Sequence, residues 1–343
     1  MTIPTIARAP RFLGATKIEW QDRPVPRPGE GELLLRVRAN AICGTDREQF
    51  HDGSDVIPGH EAAGEVLLSG PGTSVAAGTL GVVFLMDYCG ECRSCRLGYT
   101  NQCLAKRADM GFTRDGGYGP YELVHQSNFF AAPGVDPGDA TLLLDVMGTT
   151  RHAISRALAV RPDIESVAIA GAGPIGLGLV ALSRLMLGDD VPILISDVVP
   201  YRLELAERLG ARAVDARNTS LADAAAELRL DGVDAGFDST GRTVARAGLL
   251  AALTARRAAL VCIGHGEELH LTISPDLIAP ERSILGSEYF RYDELAPNLE
   301  LLRIHRDYLA QIITHRFPVG DIDEAMATFF AGQTGKVVIE QEG

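Results

Sequence analysis

The chain has 343 residues, with 32 lysines and arginines against 45 aspartates and glutamates and a formal net charge of −13. That acidic balance gives no sequence-independent grip on a phosphate backbone, so neither nucleic acid nor an anionic membrane surface is an expected partner. At 46% hydrophobic and 22% charged residues, the composition is that of a globular chain, not a disordered one, with length for two domains of roughly 100–200 residues each.

Residues 1 to about 145 read as short strands separated by Gly, Pro and Asp turns: Glu32 to Val37, Ala63 to Leu68, Gly81 to Leu85 and Glu122 to His125. Regular short apolar runs of this kind predict a partly open β-barrel. From about 150 to 285 the rhythm changes, and buried strands are expected at Val167–Ala170, Val191–Ser196, Val233–Asp238 and Ala259–Ile263. Helical stretches at Ile175–Leu187, Tyr201–Leu209 and Leu221–Leu228 separate them, which predicts a doubly wound parallel sheet. The Ala/Arg-rich run Ala245–Ala259 fits an exposed amphipathic helix. The tail returns to mixed structure: a helical run near Glu294–Thr314, a short helix at Ile322–Phe330 and a last strand at Lys336–Glu340. The longest apolar stretch, Val167 to Leu182, is broken by four glycines and a proline, too interrupted for a membrane span of about 20 residues. No secretory pattern marks the N-terminus, so a cytoplasmic location with reduced thiols is expected.

Four of the six cysteines, Cys89, Cys92, Cys95 and Cys103, fall within fifteen residues. Close spacing followed by a longer excursion lets four thiolates wrap one ion, and Zn²⁺ is the expected occupant; an iron–sulfur cluster is the other one the spacing admits. With every position filled by protein, such a zinc would be structural. Gly171-Ala172-Gly173-Pro174-Ile175-Gly176 follows the strand VAIA and opens a helix, the context in which a glycine loop sets a pyrophosphate on a helix N-terminus. Asp197 ends the next strand, where a carboxylate accepts hydrogen bonds from ribose hydroxyls and repels a 2′-phosphate, which favours NAD over NADP. Arg202 is a candidate to assist at the ribose, or else a solvated helix charge.

Taken in order, Cys43-Gly44-Thr45-Asp46, Gly59-His60-Glu61, the four-cysteine loop and GAGPIG resemble the zinc-containing medium-chain dehydrogenase/reductase family of alcohol, sorbitol, threonine and glucose dehydrogenases. The resemblance covers nearly the whole chain. It implies an α/β fold, with a GroES-like β-barrel catalytic domain formed by residues 1–147 and 284–343 and a Rossmann cofactor domain at 148–283, the active site lying in the interdomain cleft. It also implies a second, catalytic zinc held by Cys43, His60 and Asp145, with Glu61 either ligating or lying immediately behind. Asp145 stands where many relatives have Cys or Glu, and carboxylate oxygen is an ordinary zinc ligand. In the family mechanism zinc lowers the pKa of a bound alcohol, so that a zinc-bound alkoxide passes hydride to the nicotinamide.

The resemblance assigns Thr45 to the first proton transfer and Thr149 to packing against the nicotinamide. It places Ser239, Thr240, Ile263 and Gly264 at turns beside the cofactor, leaves Cys262 in the sheet, and brings Lys336 to the cofactor or to a strand cap. Glu48 occupies the position of a relay histidine in many relatives and matches glucose dehydrogenases, with His51 as a neighbouring substitute. Phe290-Arg291-Tyr292 and Thr314-His315-Arg316-Phe317-Pro318 resemble segments of sorbitol and xylitol dehydrogenases, which puts Arg291 at a polyhydroxylated substrate; Tyr118, in an expected turn, is a candidate pocket-lining residue. The implied enzyme takes NAD, two zinc ions and a small hydroxylated substrate, oxidises a secondary hydroxyl of a polyol, sugar or cyclitol, and is a homotetramer or else a homodimer. The rivals are a threonine-like or simple-alcohol dehydrogenase and a non-catalytic NAD-binding redox sensor.

Overall fold

A computed structural model describes residues 3–341, which form two compact units. Of these, the first comprises residues 3–145, 291–331 and 336–341, and the second residues 146–290 and 332–335.

In the first unit a seven-stranded sheet runs in the order Ile313–Pro318, Lys336–Glu340, Glu32–Ala41, Ala62–Ser69, Leu80–Val83 and Phe129–Ala131, with Tyr121–His125 also paired to Glu32–Ala41. The long strand Glu32–Ala41 is its spine. Leu35 faces Val66 on one neighbour and Glu122 on the other, and Leu33, Leu35, Val37, Val66, Val83 and Val124 close into a core. A second core gathers Phe12, Ile42, Phe50, Tyr118 and the inward face of the helix Ile322–Ala331, Ile322, Met326 and Phe329. Residues from both ends of the chain therefore share one interior. The N-terminal hairpin, Ile6–Gly14 against Lys17–Pro24, was not expected from the sequence, because most of its positions are exposed or only partly buried and no apolar run announces it.

The second unit is a six-stranded parallel sheet in the order Arg212–Asp215, Ile193–Asp197, Val167–Ala170, Ala235–Asp238, Ala259–Cys262 and Ser283–Gly286. In chain order this is 3-2-1-4-5-6, the doubly wound arrangement that opens a crevice where the strand order reverses. Val167–Ala170, at the centre, is buried throughout. The two edge strands went unseen in the sequence because edge positions are half covered and need no continuous apolar run. Ser283–Gly286 pairs with Ala259–Cys262, which carries this unit past residue 283 to Phe290. The expected helix Ala245–Ala259 is corrected: the helix is Thr243–Ala252, it buries Arg246, Leu249 and Ala252, and residue 259 already begins a strand. No helix among the described residues is long and apolar enough to cross a membrane.

Candidate metal centres and dinucleotide loop

Cys89, Cys92, Cys95 and Cys103 converge with all four sulfurs within 4.8 Å of one another. Cys89 and Cys103 stand 3.6 Å apart, and Cys92 and Cys103 stand 4.0 Å apart. A tetrahedron with Zn–S bonds of about 2.3 Å has edges of about 3.8 Å, so the group fits one ion; a multi-iron cluster needs sulfurs set wider apart. Backbone N–H groups already point at the sulfurs: Cys89 N donates to Cys103 Sγ at 3.3 Å, Cys92 N to Cys89 Sγ at 3.3 Å and Leu104 N to Cys92 Sγ at 3.4 Å. Such donors favour thiolate, and those from Cys95 and Leu104 bring Cys92 down to about 6.

A second group of different chemistry lies in the same unit. Ligand atoms of Cys43, His60, Glu61 and Asp145 lie within 4.8 Å of one another. Cys43 Sγ is 3.1 Å from Asp145 Oδ2, and His60 Nε2 is 3.6 Å from the same oxygen. Cys43 follows the end of the spine strand, while His60 and Glu61 lead into Ala62–Ser69. Asp145 opens a single π-turn, Asp145–Thr149, of the kind found where a helix is locally widened at functional positions. The donor set of one sulfur, one imidazole nitrogen and carboxylate oxygens suits zinc. Glu61 Oε2 is buried with no hydrogen-bond partner among the described residues, a further sign that the group is built to receive a cation.

The charges of this group are tightly coupled. Burial acts to raise the Asp145 carboxyl, but hydrogen bonding and charge from His60 hold it well below the usual carboxylate range. Burial acts against the charged imidazole, yet Asp145 and Asp46 raise His60 well above its ordinary value. Burial pushes the Cys43 thiol up, reinforced by Asp145. Lys336 is the cation that faces these anions: its ammonium bonds Glu61 Oε1, and Glu61, Cys43 and Asp145 together outweigh the burial that would strip its proton. Lys336, expected at the cofactor or at a strand cap, opens the strand Lys336–Glu340, is 1% exposed and is committed to Glu61.

Asp46 belongs to the CGTD motif but was given no task by sequence reasoning. It is fully buried; its Oδ2 accepts from Cys43 N at 2.9 Å and from Tyr118 Oη at 2.6 Å, and its Oδ1 stands 3.3 Å from His60 Nδ1. A carboxylate behind the imidazole fixes ring orientation and leaves the other nitrogen for a metal. The signal was available in the sequence, because Asp46 directly follows the turn carrying Cys43. Tyr118 is corrected from pocket lining to a buried residue bonded to this carboxylate. Thr45, Glu48 and His51 are exposed on and before the short helix Asp46–Asp52 and fall outside the ligand group. Arg291 is engaged by Asp293 through Nε at 2.9 Å and stands 5.8 Å from the Tyr99 ring centroid, so its guanidinium fork is already occupied.

In the second unit the glycine loop joins Val167–Ala170 to the helix Pro174–Leu187. Gly171 has φ +92°, and a side chain there would meet Ser239 Oγ and Thr240 Cγ2 at 2.7 Å; at Gly176 it would strike the Gly171 carbonyl at 1.8 Å. Gly173 caps the helix N-terminus with Pro174 and Ile175 following, and a Cβ placed at Gly173 would stand 4.0 Å from the tip of Arg202. Asp197 stands at the loop: its Oδ2 accepts from Ala172 N at 2.7 Å and its Oδ1 from Val198 N and Val199 N. Arg202 Nε donates to Thr334 O at 3.3 Å. Ser239 Oγ donates to the Ala170 and Gly171 carbonyls and Thr240 Oγ1 to Asp238 Oδ1, so both hydroxyls hold the loops together. Ile263 N and Gly264 N donate to Asp238 O, and Thr149 closes the π-turn, 7% exposed.

Arg246, unmarked by sequence reasoning, clamps these turns. It is 8% exposed, its Nε meets Asp238 Oδ2 at 2.7 Å, and its other nitrogens reach the carbonyls of Gly264 and Glu267. Asp238 Oδ1 in turn accepts from Thr240 N and Gly241 N.

A glycine loop on a doubly wound sheet, a GroES-like sheet and two metal-ready groups together define a nucleotide-linked zinc oxidoreductase. Residues 29–134 match the alcohol dehydrogenase GroES-like domain and residues 174–303 match the zinc-binding dehydrogenase family. An L-threonine 3-dehydrogenase of Burkholderia vietnamiensis is 32% identical over 92% of this chain and 93% of its own. The fold is shared with L-idonate 5-dehydrogenase of Escherichia coli (TM-score 0.83, 24% identity, 97% of each chain). It is also shared with 2R,3R-butanediol dehydrogenase of Bacillus subtilis (TM-score 0.85, 21% identity, 98% of this chain and 99% of that one). The chain belongs to the zinc-containing medium-chain dehydrogenase/reductase family and is a zinc-dependent oxidoreductase acting on CH–OH.

Proposed function

We propose that this chain is an NAD-linked dehydrogenase that oxidises a secondary hydroxyl of a polyol, sugar or cyclitol to the ketone or lactone, with one catalytic and one structural zinc. The observation that carries this is the buried mixed group of Cys43, His60, Glu61 and Asp145, separate from the all-cysteine group. A four-thiolate centre offers a substrate no place, whereas a mixed centre of three protein ligands keeps a position open.

Cys43, His60 and Asp145 would hold the catalytic ion; when bound, it supplies Lewis acidity toward a hydroxyl oxygen. Asp46 orients His60, and Lys336 engages Glu61 by one oxygen. Thr45, exposed two residues after Cys43, is the candidate to receive the hydroxyl proton and pass it to solvent. The amides at the start of the helix Pro174–Leu187 would carry the pyrophosphate, and Thr149 would bear on the nicotinamide. Asp197, fixed at the end of its strand beside the glycine loop, supports NAD over NADP because a second negative charge there is unfavourable.

The polyol class rests on Glu48 and on the segments around Arg291 and Arg316. The specific observation for a second reading, a 2-amino-3-hydroxy acid such as L-threonine, is the 32% identity to a threonine dehydrogenase over 92% of the chain. Initial rates with NAD on a panel of polyols, sugars, cyclitols and L-threonine decide it. A kcat/KM for a polyhydroxylated substrate well above that for L-threonine is expected, and the reverse order refutes the polyol class. Turnover with nothing on the panel, by protein holding both zinc ions, would favour the NAD-binding sensor. Cytoplasmic residence as a homotetramer, or else a homodimer, belongs to the same proposal and is checked by fractionation and sedimentation.

A further inference from the structure

We propose that Tyr118 is a positioning residue for the mixed metal centre, acting through Asp46 on both Cys43 and His60; the inference rests on the reading that this centre holds zinc. Asp46 is fully buried, and a buried carboxylate is costly unless donors surround it. Its surroundings are three: the Cys43 amide at 2.9 Å and the Tyr118 phenol at 2.6 Å, which both donate to Oδ2, and the His60 ring, whose Nδ1 stands 3.3 Å from Oδ1 as a charge contact without a hydrogen bond. Two of the three belong to metal ligands, so the phenol is the donor that secures the carboxylate independently of them.

Tyr118 is itself held on every side. Its ring stacks on Phe12 with centroids 5.9 Å apart and planes 12° apart, inside the core that includes Ile42 and Phe50. Its amide donates to Pro58 O at 3.1 Å, Gly117 N to Gly59 O at 2.8 Å and Gly116 N to Ile57 O at 2.7 Å. The segment carrying the phenol is therefore laced to the segment that ends at His60. Gly59, at φ +99°, permits this approach, since a Cβ there would lie 2.8 Å from Tyr118 N. The phenol and the imidazole thus reach Asp46 from one rigid piece of backbone. The hydroxyl fixes where the carboxylate sits, and the carboxylate fixes where Nε2 and Sγ converge.

Tyr118→Phe tests this, since it keeps the ring and its packing and removes one hydroxyl. The full-length protein is loaded with zinc, and the release of each ion to a chromogenic chelator is followed, with cobalt substitution reporting ligand geometry at the mixed centre. Loss of a partner that orients a metal ligand costs about 10–100-fold in metal affinity. The expectation is at least a tenfold faster release from the mixed centre, an altered cobalt spectrum and unchanged release from the four-cysteine centre. Adding Tyr118→Phe to Asp46→Asn should have little further effect, because both act through one carboxylate. Release equal to wild type at both centres, parallel acceleration at both, or full additivity with Asp46→Asn would each overturn the proposal. A wild-type protein that binds a single zinc would overturn the metal reading of the centre and the proposal with it.

Discussion

Glu122 is a carboxylic acid in a place built for a methyl group. Alternation along Tyr121–His125 turns Glu122 and Val124 inward, Val124 joins the barrel core, and Glu122 is 1% exposed with neither oxygen hydrogen-bonded among the described residues. Burial raises its pKa from the ordinary 4.5 to about 8; the Arg114 guanidinium pulls the other way but is itself committed to Glu32 at 2.6 Å. Below pH 4.5 both folded and unfolded chains are protonated and the group costs nothing on this count. Between 4.5 and 8 the unfolded chain ionises while the folded one keeps its proton, so stability falls as pH rises, by about 1.4 kcal/mol per unit. The accumulated cost is about 3 kcal/mol at pH 7 and levels off near 5 kcal/mol above pH 8. Glu122→Gln removes the titration while keeping the shape. Urea unfolding followed by the single tryptophan, Trp20, reports on the first unit, where Glu122 lies. The gap in stability between variant and wild type should widen by about 4 kcal/mol from pH 5 to pH 8. Curves that stay parallel across that range would refute the reasoning.

Cys43→Ser should remove turnover and lower bound zinc from two ions per chain to one, read by metal analysis of folded protein; two retained zinc ions would contradict the ligand assignment. Arg246→Met leaves Asp238 buried with no cation beside it and only the Thr240 hydroxyl and two backbone amides as donors, a loss of about 3 kcal/mol, and frees the turns at 239–241 and 264–267. Calorimetry should show both a lower unfolding temperature and a weaker NAD affinity, and an unaltered affinity would leave Arg246 a purely structural residue. Asp197→Ser removes the charge beside the expected ribose, and the ratio of kcat/KM for NADP over NAD should rise by about tenfold, equivalent to about 1.4 kcal/mol. A ratio that does not move would show that cofactor choice is made elsewhere.

The parts of this molecule that could be read from the chain are those whose physics is local. The central strands of the parallel sheet appear as unbroken apolar runs, the glycine loop announces a turn that no side chain could share, and four cysteines within fifteen residues need no long-range information to be a metal group. The partners of Tyr118 and Lys336 could not be read for the opposite reason. Tyr118 meets Asp46 across 72 residues and Lys336 meets Glu61 across 275, and no periodicity encodes either encounter. Arg246 looked like one basic residue in an Ala/Arg-rich helix. Only the fold of the turns around it shows that each of its three nitrogens donates, one to Asp238 and two to carbonyls. Edge strands escaped notice because partial cover dilutes the pattern that marks a strand.

One stretch of chain joins the two kinds of chemistry. The first segment of the first unit ends at Asp145, a candidate metal ligand, and the second unit begins at Val146, within the same π-turn. That turn has little freedom. The Val146 carbonyl accepts from Thr150 Oγ1 at 2.5 Å, and a Cβ at Gly178 would stand 2.5 Å from the same oxygen. Gly148 leaves no room either, since a Cβ there would lie 2.4 Å from the Phe290 ring. Gly178 lies in the second turn of the helix whose N-terminus is the dinucleotide loop. The residue after the metal ligand is therefore packed against the helix that would carry the pyrophosphate, without a side chain between them. Because packed interiors transmit displacement and do not absorb it, a shift of that helix along its axis would be felt at the backbone of Val146. Gly148 and Gly178 are what let the turn at 146–149 pack this closely within the second unit, against Phe290 and against the helix Pro174–Leu187.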